Sequence, residues 1–213
     1  MPTGNNSKPK FAIFAARNSM LWNKEINSVT CSQRERKTNL MKNYKEKLHP
    51  IRAFILDFDG VLSNGKVFVM SDGEQVRATN VKDGYALHYA LKKGYKIAVI
   101  SGGFAESMRL RFREFHGMEM FLHVSDKIKV FNEYLAANNL KPEEVLVMGD
   151  DIPDYPMMKL AGVKCCPADA ALEIQELADY ISFRNGGEGA VRDVIEQTMR
   201  LQGTWFDTDA HIW

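Results

Sequence analysis

The chain has 213 residues, of which 45% are hydrophobic and 26% charged, and a formal charge of +1. That is enough for one domain with a sizeable core. It lacks the basic excess of a domain that binds nucleic acid by bulk electrostatics, and no apolar stretch approaches the roughly 20 residues of a membrane helix. Cys31, Cys165 and Cys166 make neither a paired framework nor a zinc spacing. The adjacent pair follows an apolar run and reads as reduced packing residues, which fits a cytoplasmic protein. The five histidines show no metal-ligand spacing.

Residues 1–45 read as a disordered extension or a mis-assigned start. Phe11 to Ala16 is apolar but short, with no convincing cleavage site after it, so a secretory signal is not expected. Asn18 to Asn39 is polar and aperiodic, and Met41 opens a better-behaved stretch. From Ile51 the pattern is regular. Ile51 to Phe58 is a near-continuous apolar run, as expected of a strand buried on both faces of a parallel sheet. Lys66 to Met70 and Glu74 to Thr79 flank Ser71-Asp72-Gly73, a hairpin signal. Asp83 to Lys93 has apolar residues at helical spacing and stops at Gly94. Further strands are predicted at Tyr95 to Ile100, Met120 to Val124, Val145 to Met148, Val163 to Cys166 and Tyr180 to Ser182. Helices are predicted at Ala105 to Phe115, Lys127 to Asn138 and Tyr155 to Ala161, with helical segments after the last two strands. Strand and helix alternate over residues 46–202, the signature of an open α/β sheet. Residues 203–213 form a tail whose Trp205, Phe206 and Trp213 look exposed. Exposed aromatics mark interfaces, so the tail is expected to pack on a neighbouring subunit.

Ligands bind outside the carboxyl ends of the strands in such sheets. Those ends carry Asp57-Phe58-Asp59-Gly60, Ser101-Gly102-Gly103, Asp126-Lys127 and Gly149-Asp150-Asp151 with Asp154 close behind. So dense a group of acids repels itself unless a cation compensates it, and oxygen-only ligands suit Mg²⁺. The Asp-x-Asp spacing sends Asp57 and Asp59 toward one cavity while Phe58 turns into the core. Asp57 then serves as the nucleophile on phosphorus. Asp59 protonates the leaving oxygen and later takes a proton from water. Ser101 and Lys127 hold the phosphoryl oxygens.

Those four segments, in that order, resemble the motifs of the haloacid dehalogenase superfamily over residues 51 to 200. The resemblance implies a Rossmann-like three-layer sandwich with a mainly parallel sheet. It implies Mg²⁺ bound by Asp57, the backbone carbonyl of Asp59, and Asp150, with Asp151 and Asp154 supporting them from behind. The short gaps from Leu62 to Asp83 and from Ser101 to Lys127 leave no room for a cap domain, only a protruding β-hairpin. That is similar to the capless branch, whose hairpins and neighbouring subunits cover the site. Within it, Asn80-Val81-Lys82-Asp83-Gly84, Pro167-Ala168-Asp169-Ala170 and Gly186-Gly187-Glu188-Gly189 resemble the tetrameric phosphatases of octulosonate 8-phosphate, which feed lipopolysaccharide synthesis. This implies a homotetramer, a small phosphorylated sugar-acid substrate, and Asn80, Asp83, Gly84, Gly102 and Arg111 as substrate-binding residues, Arg111 for the carboxylate. One departure stands out: Gly103 occupies a position where many of those enzymes have Arg. Phosphatases of nine-carbon keto-deoxy sugar acids match the core equally well, but they imply Glu at 103 and Lys at 114, where this chain has Gly103 and Glu114.

Two readings compete. A phospho-accepting signalling domain also places acids, a hydroxyl and a lysine at strand ends, but it lacks the second acid of Asp-x-Asp, so Asp59 argues against it. A noncatalytic oligomerisation module, of the kind fused to sugar-nucleotide synthetases, does not need the intact set of motifs. Taken singly, Lys127 or Ser101 would be an ordinary surface residue, and Gly186-Gly187 a simple turn.

Overall fold

A computed structural model describes residues 44–212. Its centre is β1 (Ala53–Leu56), buried along its whole length. β1 pairs in parallel with β4 (Lys96–Ile100) on one side and β6 (Val145–Met148) on the other, Ala53 lying opposite both Lys96 and Val145. β5 (Met118–Phe121), β7 (Val163–Cys166) and β8 (Tyr180–Ile181) extend the sheet to six parallel strands in the order β5-β4-β1-β6-β7-β8. Successive side chains of a strand point to opposite faces. Phe54, Leu56, Ile97 and Val99 therefore meet one apolar cluster, and Ala53, Ile55, Ala98 and Ile100 the other. The first is covered by α1 (Val81–Lys92), α2 (Glu106–Phe112) and α6 (Ala190–Leu201), the second by α3 (Lys127–Ala137), α4 (Tyr155–Leu160) and α5 (Leu172–Leu177). Truncating a strand residue such as Ile55, fully buried, to alanine should cost about 2–5 kcal/mol.

The hairpin between β1 and α1 is formed by β2 (Phe68–Val69) and β3 (Gln75–Val76), antiparallel, with Phe68 opposite Val76. Gly73 makes its turn at φ +89°, and Asp72 Oδ1 accepts the Glu74 amide. Val67, Phe68, Val69 and Met70 are all exposed on it. Nothing in the described residues forms a separate cap over the sheet edge.

Three local expectations are corrected. The third main strand lies two residues earlier than predicted. The backbone at Val124 leaves the ladder to donate to Ser101 O, and His123 adopts φ +60°. The helix after β4 ends at Phe112 rather than Phe115, before the turn through Gly117 at φ +93°. The C-terminal segment is not an exposed tail reaching outward but docks on its own chain. Trp205 meets Tyr85 and Tyr89 edge-on, with ring centroids 6.0 and 5.6 Å away. The Tyr85 hydroxyl donates to Ala210 O, and Gln202 Nε2 donates to the carbonyls of Leu48 and Ile51. Phe206 does stand in solvent, and Trp213 lies outside the described residues. So does most of the 1–45 segment. Its last residues belong to the packed body: Tyr44 is 1% exposed and stacks on Tyr180 at 4.6 Å.

Candidate active site

The carboxyl edge of the sheet holds the residues singled out from the sequence. As β1 ends, the Asp57 amide donates to Met148 O at 3.0 Å, which keeps the chain in the sheet plane for one more residue. Phe58 turns inward, 1% exposed, and its carbonyl accepts from Leu62 and Ser63, folding the loop back on itself. Gly60 takes φ +85°, and a Cβ there would stand 1.9 Å from Asp150 Oδ2. Only glycine lets the two loops approach so closely. Asp57, Asp59, Ser101, Lys127, Asp150 and Asp154 line one cleft of about 560 Å³, Gly102 among its walls.

Lys127 is the first residue of α3, whose N-cap Asp126 accepts the Lys129 amide. Its ammonium lies 3.1 Å from Asp57 Oδ1 and 2.7 Å from Asp154 Oδ1. Asp154 is fully buried. Its other oxygen accepts the amides of Asp150 and Asp151, at 3.1 and 3.4 Å, so both of its oxygens are committed to holding Lys127 against the β6 loop. Asp151 faces outward and caps the turn that follows. Ser101 is 2% exposed and its hydroxyl accepts the Gly103 amide at 3.2 Å.

The charge balance of this group is unfavourable as it stands. Burial first, and Asp154 second, raise Asp57 to about 7, while Lys127 pulls the other way. Burial, then Asp57, raise Asp150 to about 8. Burial by itself lowers a lysine, yet Asp57 and Asp154 hold Lys127 above its ordinary value. One oxygen from each of Asp57, Asp150 and Asp154 lies within 4.8 Å of the others. Asp150 Oδ1 is buried and accepts no hydrogen bond, and Asp57 Oδ1, also buried, has the shared Lys127 ammonium beside it. Buried oxygens of this kind normally have a partner. Asp154 has none to spare, so Asp57 and Asp150 are the two carboxylates fitted to a hard divalent cation.

Of the predicted substrate residues, Gly102 lies in the cleft and the other four lie elsewhere. Asn80 is the N-cap of α1, accepts the Lys82 amide and donates to Gly187 O. Asp83 is 1% exposed and accepts the Arg192 amide at 2.7 Å; burial raises it to about 6 against that hydrogen bond. Gly84 packs beneath the Arg111 guanidinium. Arg111 in turn donates to Thr79 Oγ1 and lies over the rings of Phe112 and Phe115. None of Asn80, Asp83, Gly84 and Arg111 lines the cleft. Asn80 instead borders a second cleft of about 610 Å³ beside Phe183 and Arg192, which has no nucleophile or paired acids of the first kind and whose Arg192 and Arg200 are tied to Glu196. Gly186-Gly187 is more than a turn. The Gly187 amide donates to Val61 O, and a Cβ on Gly186 would collide with Gly60 O, so this loop lies flat on the Asp57–Gly60 loop.

Sequence reasoning missed Arg77. Its guanidinium grips Asp59 with two donors, Nε to Oδ1 at 2.7 Å and Nη2 to Oδ2 at 3.0 Å. Its place immediately after Val76, on the hairpin arm leading back from β3, is the one signal that it returns toward the sheet edge.

A parallel sheet with a strand-end aspartate, a helix-borne lysine and a paired-acid loop around one cleft defines a phosphoryl-transfer hydrolase of the haloacid dehalogenase type, and comparison with known proteins agrees. The family model described as haloacid dehalogenase-like hydrolase matches residues 104–195. The 3-deoxy-D-manno-octulosonate 8-phosphate phosphatase of Salmonella typhi is 36% identical over 157 residues, 74% of this chain and 84% of that one. The crystal structure of the enzyme of that name from Yersinia pestis superposes with a TM-score of 0.74 at 32% identity, covering 76% of this chain and 87% of that one. That from Moraxella catarrhalis, in complex with magnesium ion, phosphate ion and a KDO molecule, superposes with a TM-score of 0.75 at 27% identity, covering 78% and 95%. The chain belongs to the 3-deoxy-D-manno-octulosonate 8-phosphate phosphatase family.

Proposed function

We propose that this chain is a Mg²⁺-dependent phosphatase that converts 3-deoxy-D-manno-octulosonate 8-phosphate to the free sugar acid and phosphate through a phosphoryl group carried on Asp57. The observation that carries the reading is Asp57 Oδ1: buried at the strand end and 3.1 Å from the Lys127 ammonium. A carboxylate nucleophile is served by such a fixed positive charge, which also offsets the charge of the phosphoryl group it attacks. When bound, Mg²⁺ supplies charge neutralisation for the transferring phosphoryl group. Asp57 and Asp150 would hold it with their carboxylates and Asp59 with its main-chain carbonyl, because the Asp59 side chain is committed to Arg77 and Ser63. Ser101 Oγ, the amides of the Gly102 loop and Lys127 bind the phosphoryl oxygens, and Asp154 and Asp151 keep Lys127 and the β6 loop in place. As a bond forms from Asp57 to phosphorus, the ester oxygen leaves and takes the proton of Asp59. Water then attacks the same phosphorus, giving its proton to Asp59 and returning Asp57 as a carboxylate.

The exposed apolar arm of Val67, Phe68, Val69 and Met70 favours assembly into the expected homotetramer, whose neighbouring hairpins would roof the open cleft. No described helix is long and apolar enough to cross a membrane, and Cys165 and Cys166 are buried free thiols; both are compatible with the proposed cytoplasmic setting. The eight-carbon substrate is preferred to a nine-carbon one because Gly103 offers no carboxylate and Glu114 points to solvent beside Arg113. Phosphate release measured with Mg²⁺ on octulosonate 8-phosphate, the nine-carbon analogue and simple sugar phosphates tests this. The highest kcat/KM is expected on the first, and a higher value on the nine-carbon ester would overturn the assignment.

A further inference from the structure

Asp59 is held differently from the other acids of the cleft. Asp150 keeps a buried oxygen without a hydrogen bond and Asp57 shares the Lys127 ammonium with Asp154, whereas both oxygens of Asp59 are gripped by a cation of their own. Oδ1 accepts from Ser63 Oγ at 3.1 Å and from Arg77 Nε at 2.7 Å. Oδ2 accepts from Arg77 Nη2 alone, at 3.0 Å. A carboxylate oxygen has two in-plane lone pairs, so Oδ1 is saturated and Oδ2 retains one. The free side of Oδ2 faces Gly103, where a Cβ would stand 2.9 Å from Oδ2 and 3.4 Å from Arg77 Nη2. Gly103 itself lines the cleft, so the absence of a side chain there is what leaves Oδ2 open to it.

The Arg77 side chain is only 4% exposed, although the neighbouring strands β2 and β3 are largely open to solvent. Its third nitrogen, Nη1, points back to Gln75 O at 3.4 Å. Nη2 also reaches Gln75 Oε1 at 3.5 Å, so four of the five N–H groups are directed at Asp59 and the hairpin, and Arg77 is not among the residues that line the cleft. Such two-point pairing fixes the plane of a carboxylate, which a single point charge does not. We propose that Arg77 is a positioning residue for proton transfer. With Ser63 it clamps Oδ1 so that Oδ2 is the atom that carries the proton, while Gly103 reserves the space through which that proton passes. The proton on Oδ2 goes to the ester oxygen as its bond to phosphorus breaks and the Asp57–phosphorus bond forms. The resulting Asp59 carboxylate takes a proton on Oδ2 from the water that then displaces Asp57, so the clamp serves both half-reactions. Because Arg77 sits on the hairpin arm, the acid/base group is correctly aimed only while that arm is seated. This inference rests on the function proposed above.

The test compares two esters on the full-length protein with Mg²⁺: octulosonate 8-phosphate, whose alkoxide leaving group needs a proton, and p-nitrophenyl phosphate, whose leaving group departs as a stable anion. Arg77→Ala should lower kcat on the first by about 10²-fold or more, within the range of general acid catalysis, and by less than about threefold on the second. KM should move little on either. Gly103→Val, placed on a different loop, should reproduce that selective loss, which keeps the test valid if Arg77→Ala folds poorly. Arg77→Lys should recover only part of the rate, because it restores the charge and not the fork. Equal losses on both esters would make Arg77 a phosphate-binding or purely structural residue, and an unchanged or raised kcat on the alkyl ester would mean that the clamp restrains Asp59; either result overturns the inference. Wild-type protein inactive on both esters with Mg²⁺ would instead bring down the functional reading, and this inference with it.

Discussion

Two clusters of aspartate and lysine occur in this molecule, and the same residue types behave in opposite ways in them. In the cleft, Asp57, Asp150 and Asp154 share one ammonium, that of Lys127. Asp57 and Asp150 are raised to about 7 and 8, chiefly by burial. On the far side of α1, Asp207 and Asp209 of the docked C-terminal segment meet Lys92 and Lys93 at 2.7 to 3.4 Å. There the hydrogen bond from Lys93 brings Asp209 down to about 2, and the Thr208 amide followed by Lys93 lowers Asp207. One cluster is wet and balanced in charge, the other dry and one or more cations short. A satisfied surface cluster ties a segment down; a buried one with more carboxylates than cations is suited to binding a further cation.

The sharpest way to break this contrast is at the proposed nucleophile. Asp57→Asn should lower turnover by about 10⁴-fold or more, roughly 5.5 kcal/mol of barrier, in phosphate-release kinetics, while circular dichroism shows an intact fold. Retained turnover would show that the buried acids are structural after all. Next is Lys127→Ala, which leaves Asp57 and Asp154 buried without their cation. Chemical denaturation should report a loss of about 3–5 kcal/mol in the metal-free protein.

Mg²⁺ should offset the imbalance of the cleft and do little for the surface cluster. At a hundred times its dissociation constant it should add about 2.7 kcal/mol to the unfolding free energy, read from denaturant melts with and without chelator. The same melts at several pH values separate the clusters. Asp57 and Asp150, and Asp83 at about 6, have folded pKa values above the ordinary 3.8, so they bind protons on folding. Metal-free protein should therefore lose stability as pH rises from about 4 to about 8, and saturating Mg²⁺ should flatten the upper part of that slope. Asp207 and Asp209 work in the other direction: their stabilisation is present above their ordinary pKa and is lost as pH falls toward about 2. Metal-free protein equally stable at pH 5 and pH 8 would remove the distinction. The smallest effect is expected from Lys93→Ala, a midpoint shift of about a degree in a thermal melt with unchanged kinetics.

Much of the cleft was legible because parallel strands leave a plain record. β1 and β6 are buried on both faces, so they read as unbroken apolar runs whose ends locate Asp57 and Asp150 without any knowledge of the fold. β5 is only partly buried, and its run was placed two residues late. Arg77 escaped because its partner lies 18 residues away across a hairpin whose lean toward the sheet is not encoded in local periodicity. Asp83 lies in a sequence block that matched a substrate loop, and its Oδ1 accepts the Arg192 amide 109 residues downstream, a contact no local pattern announces. The C-terminal aromatics looked unpartnered for a similar reason. Trp205 finds Tyr85 and Tyr89 more than a hundred residues back, a pairing that depends on α1 and α6 lying side by side.

The strand order carries a consequence for the birth of the enzyme. β1 emerges early, but both of its neighbours in the sheet, β4 and β6, are made later, and the lysine and the last acids of the cleft later than β4. The contacts of Lys127 with Asp57 and with Asp154 close long loops, the slow kind of contact in folding. A nascent chain that has not yet released Asp154 from the ribosome has no completed cleft. Regain of phosphatase activity on refolding should therefore trail the return of helical signal, with the nucleophile waiting on strand end for the rest of its site.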